Sequence, residues 1–132
     1  MSENERQDLR MRTKTFALRI IRLYVALPKT IEAQVLGKQL LRSGTSIGAH
    51  YRESQRAKSD ADFINKIEGS LQELEETGYW LELLAEAGIV AEERLKPLHD
   101  ETEELIAIFV TMVKKVKERM KAEGGRMKHG KQ

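Results

Sequence analysis

Apolar residues return every three or four positions along most of this chain, and the pattern breaks at only three places: around Pro28, Ser59 and Gly88. That spacing gathers them on one face of a helix, so the chain divides into four amphipathic helices and little else. The first, about residues 7–27, carries Phe16, Ala17, Ile20, Leu23, Tyr24 and Leu27 on one face and Arg10, Lys14, Arg19 and Arg22 mostly elsewhere. Pro28 ends it, because proline lacks an N–H and drives its predecessor away from helical geometry, and Thr30 can cap the next helix. The second, residues 31–58, has Ile31, Val35, Leu40, Ile47 and Tyr51 as its expected seam. The third, residues 59–87, opens on a capping box in which Ser59 is the N-cap and Asp62 the N3 residue. It runs through Phe63, Ile64, Ile67, Leu71, Leu74, Leu81 and Leu84, and it stops at Gly88, which suits the left-handed terminal conformation. The fourth, residues 92–121, follows Leu95, Leu98, Thr102, Leu105, Ile106, Phe109, Met112, Val113 and Val116, with Pro97 expected to kink or restart it.

The links between these stretches are too short for anything but a reversal, so the expected fold is all-α, an antiparallel up-down-up-down four-helix bundle over residues 1–122. Residues 123–132, with adjacent Gly124 and Gly125 and no periodicity, read as a basic, disordered tail. One local ambiguity is the run Arg42-Ser-Gly-Thr-Ser-Ile-Gly-Ala49. Each glycine costs a helix about 1 kcal/mol relative to alanine. The run therefore marks either a break at Gly44 or a place where a neighbouring helix comes close, and the continuous helix is the favoured reading.

Several function classes fall away. The absence of cysteine excludes disulfides, thiolate metal sites and cysteine nucleophiles. No apolar run approaches the roughly 20 residues of a membrane span, and the polar start is unlike a signal peptide, so a cytoplasmic protein without membrane partners is expected. No phosphate-binding loop, nucleophile elbow or His-Glu-x-x-His motif occurs, and no Glu-x-x-His element, so neither an enzyme, a catalytic residue, a cofactor nor a metal site is expected.

The net charge of +2 conceals strong segregation: +4 over residues 1–30, +3 over 31–58, −7 over 59–88, −4 over 89–113 and +6 over 114–132. Lys114, Lys115, Lys117, Arg119, Lys121, Arg126 and Lys128, joined by Arg42, Arg52 and Arg56, are candidate contacts to RNA or DNA phosphates. The bland reading, cations favouring a helix C-terminus and a soluble surface, weighs about as much for the tail. Ser43, Ser46, His50 and Glu53 on the second helix and Glu73, Glu76 and Tyr79 on the third make polar stripes, read as a structural hydrogen-bonded network in preference to an acid/base site. Trp80, off the apolar line, is a candidate subunit contact.

Gln39-Leu-Leu-Arg-Ser-Gly-Thr-Ser-Ile-Gly-Ala-His-Tyr-Arg-Glu53, followed by Ala57, Ser59, Asp62-Phe-Ile64 and Lys66, resembles the signature of the four-helix-bundle proteins encoded by intervening sequences in bacterial 23S rRNA genes, the S23 family. Leu27-Pro28-Lys29, Glu73, Glu76-Thr77 and Tyr79-Trp80-Leu81 agree with it; His50 and Gln72 depart from its usual Asn and Lys. The resemblance implies a ring, typically a homopentamer. It also implies kinship with the accessory variability proteins of diversity-generating retroelements, which bind nucleic acid and a reverse transcriptase. The expectation is therefore a non-catalytic, ring-forming bundle that binds nucleic acid electrostatically. The alternative is a protein-interaction scaffold with no nucleic-acid ligand.

Overall fold

The computed structural model describes residues 1–130, with side chains through Gly124. Four helices, α1 (Glu3–Ala26), α2 (Ile31–Ser54), α3 (Asp60–Glu86) and α4 (Glu92–Gly130), account for nearly all of them, with no strand among the described residues.

Local chemistry sets the helix ends. The Ser2 hydroxyl accepts from the Glu5 backbone N–H at 3.1 Å while the Glu5 carboxylate accepts from the Ser2 N–H at 3.4 Å. This capping box starts α1 at Glu3, four residues before the expected residue 7. Leu27, ahead of Pro28, is extended at φ −68°, ψ 149°, and the Thr30 hydroxyl caps α2 by accepting from Ala33 N–H. α2 ends at Ser54, not residue 58; its last backbone bonds tighten into i→i+3 turns that lead to Ser59. Ser59 accepts from Asp62 N–H at 3.0 Å, but the Asp62 carboxylate accepts from Lys58 N–H instead of completing the box on Ser59. After α3, Gly88 takes φ +71° and its N–H donates to Ala85 O, while Ile89 N–H donates to Leu84 O, a Schellman termination.

Successive helices run antiparallel, as their cross-contacts show: Thr13, Ile20 and Leu27 of α1 meet Gly48, Gly44 and Gly37 of α2 in reverse order. A Cβ added at Gly37, Gly44 or Gly48 would lie 2.6 Å from Leu27 Cδ1, 2.8 Å from Ile20 Cγ1 and 3.0 Å from Thr13 Oγ1. The small-residue run is therefore a continuous helix whose glycines admit α1. Phe16, Ile20, Leu40, Ile47, Ile67, Leu74, Leu81, Leu105 and Phe109 fill the centre, each burial of that size contributing about 1.5–3 kcal/mol. The Tyr51 and Phe109 rings stack across the core, centroids 5.7 Å apart. α4 closes the bundle onto α1 through Arg12, whose guanidinium donates to Glu101 at 2.6 Å. This makes an antiparallel four-helix bundle.

Three expectations need correction. Ile31 and Val35 do not belong to the α2 seam: they are 82% and 56% exposed, and Ala33 and Gly37 face inward in their place. The small residues there leave room for Leu27 and Tyr24, so the inner face is the less apolar one. Pro97 lies inside an unbroken α4, so the helix does not restart there. It forfeits a single hydrogen bond near the helix start, and the burial of Leu95 and Leu98 on either side offsets that loss. α4 also does not stop near residue 121 but continues through residues 123–130, which the sequence reading assigns to a disordered tail. No proline or left-handed glycine intervenes to end it, and Gly124 and Gly125 only lower its propensity. The tail's last residues, 131–132, lie outside the described residues.

Candidate nucleic-acid interface

The up-down topology brings four segments to one end of the bundle: the start of α1, the α2–α3 turn, the start of α3 and the second half of α4. Residues 1–14, 50–66 and 113–130 make up this end and count 15 basic against 8 acidic residues in sequence. The remainder, residues 15–49 and 67–112, carries 7 against 13. The molecule is thus polarised along its length. Contacts hold these segments together. Arg119 of α4 pairs with Asp60 at the first residue of α3 at 2.6 Å, Lys117 pairs with Glu68 at 3.3 Å, and the Tyr51 hydroxyl at the end of α2 donates to Arg6 O of α1 at 3.4 Å.

Because Arg119 sits beside the first residue of α3, residues 120–130 of α4 project beyond that helix. At about 1.5 Å per residue the projection is roughly 16 Å long. Unsupported helices of this length are marginal in water. Met120 and Lys121 on the projection are exposed, while the side chains of Arg126 and Lys128 lie outside the described residues. Along the adjacent part of α4, Val110 and Val113 form an apolar ledge rimmed by Lys114, Lys117 and Lys121.

The candidate cations divide by what they touch. Lys117 and Arg119 have carboxylate partners, whereas Lys114, Lys115, Lys121, Arg52 and Arg56 are exposed and form no ion pair among the described residues. Arg10 and Lys58, not among the candidates drawn from sequence, also lack an ion pair there and lie at the same end; the topology, not any motif, brings them in. Arg42 does not belong to this group. It lies in the middle of α2 and spans to α3, donating to Glu73 at 3.1 Å and Glu76 at 3.0 Å, and these bonds raise its pKa, Glu73 foremost.

The polar residues expected to form one network fall into separate pairs. Ser43 is fully buried, and the Thr77 hydroxyl, not among the residues expected in the network, lies 2.8 Å from its Oγ. Ser46 donates back to Arg42 O of its own helix. Glu73 and Glu76 hold Arg42, Glu53 pairs with Lys66 at 3.3 Å, and His50 packs its ring over Gly69. Tyr79 points away from all of these, 54% exposed on the α3–α4 side. Thr102 is buried on the α4 line where the spacing puts it, while two further buried hydroxyls, Thr13 and Ser70, carry no such signal in sequence; Ser70 crosses to α2 by donating to Ile47 O at 3.0 Å. Trp80 is half-buried against the core, with its indole N–H enclosed and unpartnered, so it offers less surface to another molecule than Tyr79 beside it.

No cluster of three or more His, Asp or Glu side chains able to hold a metal occurs among the described residues, and no helix there is long and apolar enough to cross a membrane. The arrangement offers an electrostatic surface for polyanions.

The family described as 23S rRNA-intervening sequence protein matches residues 5–111. A crystal structure of a protein of unknown function from the S23 ribosomal protein family of Bacteroides thetaiotaomicron VPI-5482 superposes with a TM-score of 0.75 at 40% identity, covering 80% of this chain and 97% of that one. No curated protein matches. The matched stretch holds the bundle up to Thr111 and leaves the basic half of α4 outside it. This chain belongs to the 23S rRNA-intervening sequence protein family.

Proposed function

We propose that this protein is a non-catalytic, cytoplasmic, self-assembling helical bundle that binds RNA or DNA electrostatically at its basic end. The observation that carries this reading is the polarisation: the segments at one end hold 15 basic against 8 acidic residues, and five of the candidate cations there are exposed and without an ion pair among the described residues, beside a helix that projects into solvent. Each phosphate such a cation neutralises releases condensed counterions, so affinity falls steeply with salt. No groove-reading motif accompanies the charge, so binding is to backbone and not to sequence. Self-assembly, with the resemblance favouring a homopentamer, multiplies the positive potential by placing copies of the basic end at one level of a ring. A reverse transcriptase is a further partner in the case of a retroelement-linked gene.

Titration of fluorescent single-stranded and duplex RNA and DNA against the full chain and a chain ending at Met120 tests the proposal. The shortened chain removes Lys121 and every cation after it while leaving the Arg119–Asp60 pair. The expected result is at least tenfold weaker binding with a shallower salt dependence. Equal affinity, or binding of neither form, contradicts it.

A further inference from the structure

The outer face of α1 is apolar where a lone bundle has no use for it. Met11, Leu18, Ile21 and Val25 are 64%, 40%, 39% and 69% exposed and lie opposite the buried line of Leu9, Phe16 and Ile20. Arg10, Lys14 and Arg22 flank them without an ion pair among the described residues. A different side of the molecule carries the complementary chemistry. Between α3 and α4 runs a groove of about 240 Å³, floored by Leu74, Gly78 and Ile106 and overhung by exposed Tyr79. Its rim is acidic. Glu75 and Glu103 form no ion pair among the described residues, and Glu82 faces only His99, at 3.7 Å. Each copy thus owns one apolar stripe with unneutralised cations and one part-apolar groove with unneutralised anions.

We infer that copies of this chain join head to tail, the outer face of α1 in one copy seating in the α3–α4 groove of the next. The inference rests on the proposed self-assembly and names its surfaces. Charge complementarity selects a second copy as the occupant, since the basic flanks of the stripe match the acidic rim of the groove, and like faces would repel each other. Because the two faces differ, the contact is heterologous, and each copy gives one face and receives the other until a ring closes. Tyr79, and not the half-buried Trp80, is the aromatic anchor of the contact.

Light scattering coupled to size exclusion on the full chain and two variants tests this. One variant, Leu18→Glu with Val25→Glu, breaks the stripe; the other, Glu75→Lys with Glu82→Lys, breaks the groove. All four positions are off the buried core, and far-ultraviolet circular dichroism confirms that each variant remains helical. The expected results are a multimer for the unaltered chain and the 15.1 kDa monomer for each variant. An equimolar mixture of the two variants retains one intact stripe and one intact groove, so it forms a dimer of twice the monomer mass and nothing larger. An unaltered chain that runs as a monomer overturns both self-assembly and this contact. A multimer that survives in both variants, or a mixture that stays monomeric, leaves self-assembly standing and overturns the assignment of these faces.

Discussion

The α2–α3 contact and the basic end of the bundle are both rich in polar side chains, yet they use them in opposite ways. Between α2 and α3, polar groups meet within the molecule. Ser43 faces Thr77, Ser70 donates to Ile47 O, and Arg42 lies across Glu73 and Glu76. At the basic end, Lys114, Lys115, Lys121, Arg52 and Arg56 are exposed and form no ion pair among the described residues. The comparison teaches that charge content alone does not mark a binding surface; what marks it is charge left unneutralised after the chain has folded.

The α2 side of this comparison is most sensitive at its closest packing. Gly44→Leu, with Ile20 already 2.8 Å from where a Cβ would stand, should destabilise the bundle by about 3 kcal/mol, read as a fall of roughly 10 °C in the thermal midpoint. Thr77→Val should cost about 1–2 kcal/mol in urea unfolding, because the buried Ser43 hydroxyl loses its cross-helix partner while the shape is kept.

The junction between the two regions responds to pH. Burial pushes the Tyr51 phenol up to about 12 from an ordinary value near 10. The unfolded chain releases this proton first, so the contribution is intact below about pH 10 and is lost as pH rises from 10 toward 12. Tyr51→Phe should flatten that loss, measured as the difference in thermal midpoint between variant and unaltered chain across the same interval. Smallest of all is Arg42→Gln. With both partners on a part-exposed surface it should cost under about 1 kcal/mol and leave nucleic-acid affinity unchanged, which separates a structural arginine from the cations of the basic end.

Much of the fold was legible because helix periodicity, Pro28, Ser59 and Gly88 are local signals, and local signals survive folding. The register of α2 was not: counting from Ile31 and Val35 follows hydrophobicity, but close approach to α1 selected Ala33, Gly37 and Gly44 for the inner face. The short Ser2–Glu5 capping box is a local signal too, but it precedes the first apolar repeat, so periodicity alone starts α1 too late. For the site, clustering of basic residues along α4 could be read directly. Which cations remain unpaired could not, since Arg42 and Glu73 stand 31 positions apart and meet only across two packed helices. Arg10 and Lys58 joined the basic end for the same reason, by topology.

The central claim, that unneutralised cations at one end of the bundle bind nucleic acid, is tested most directly by the salt dependence of affinity for a single-stranded RNA. The variant to compare carries Lys114→Gln, Lys115→Gln and Lys121→Gln. If all three lysines contact phosphate, the slope of log affinity against log salt should become shallower by about 2, while Arg42→Gln leaves it unchanged. A slope identical in the triple variant and the unaltered chain would contradict the account.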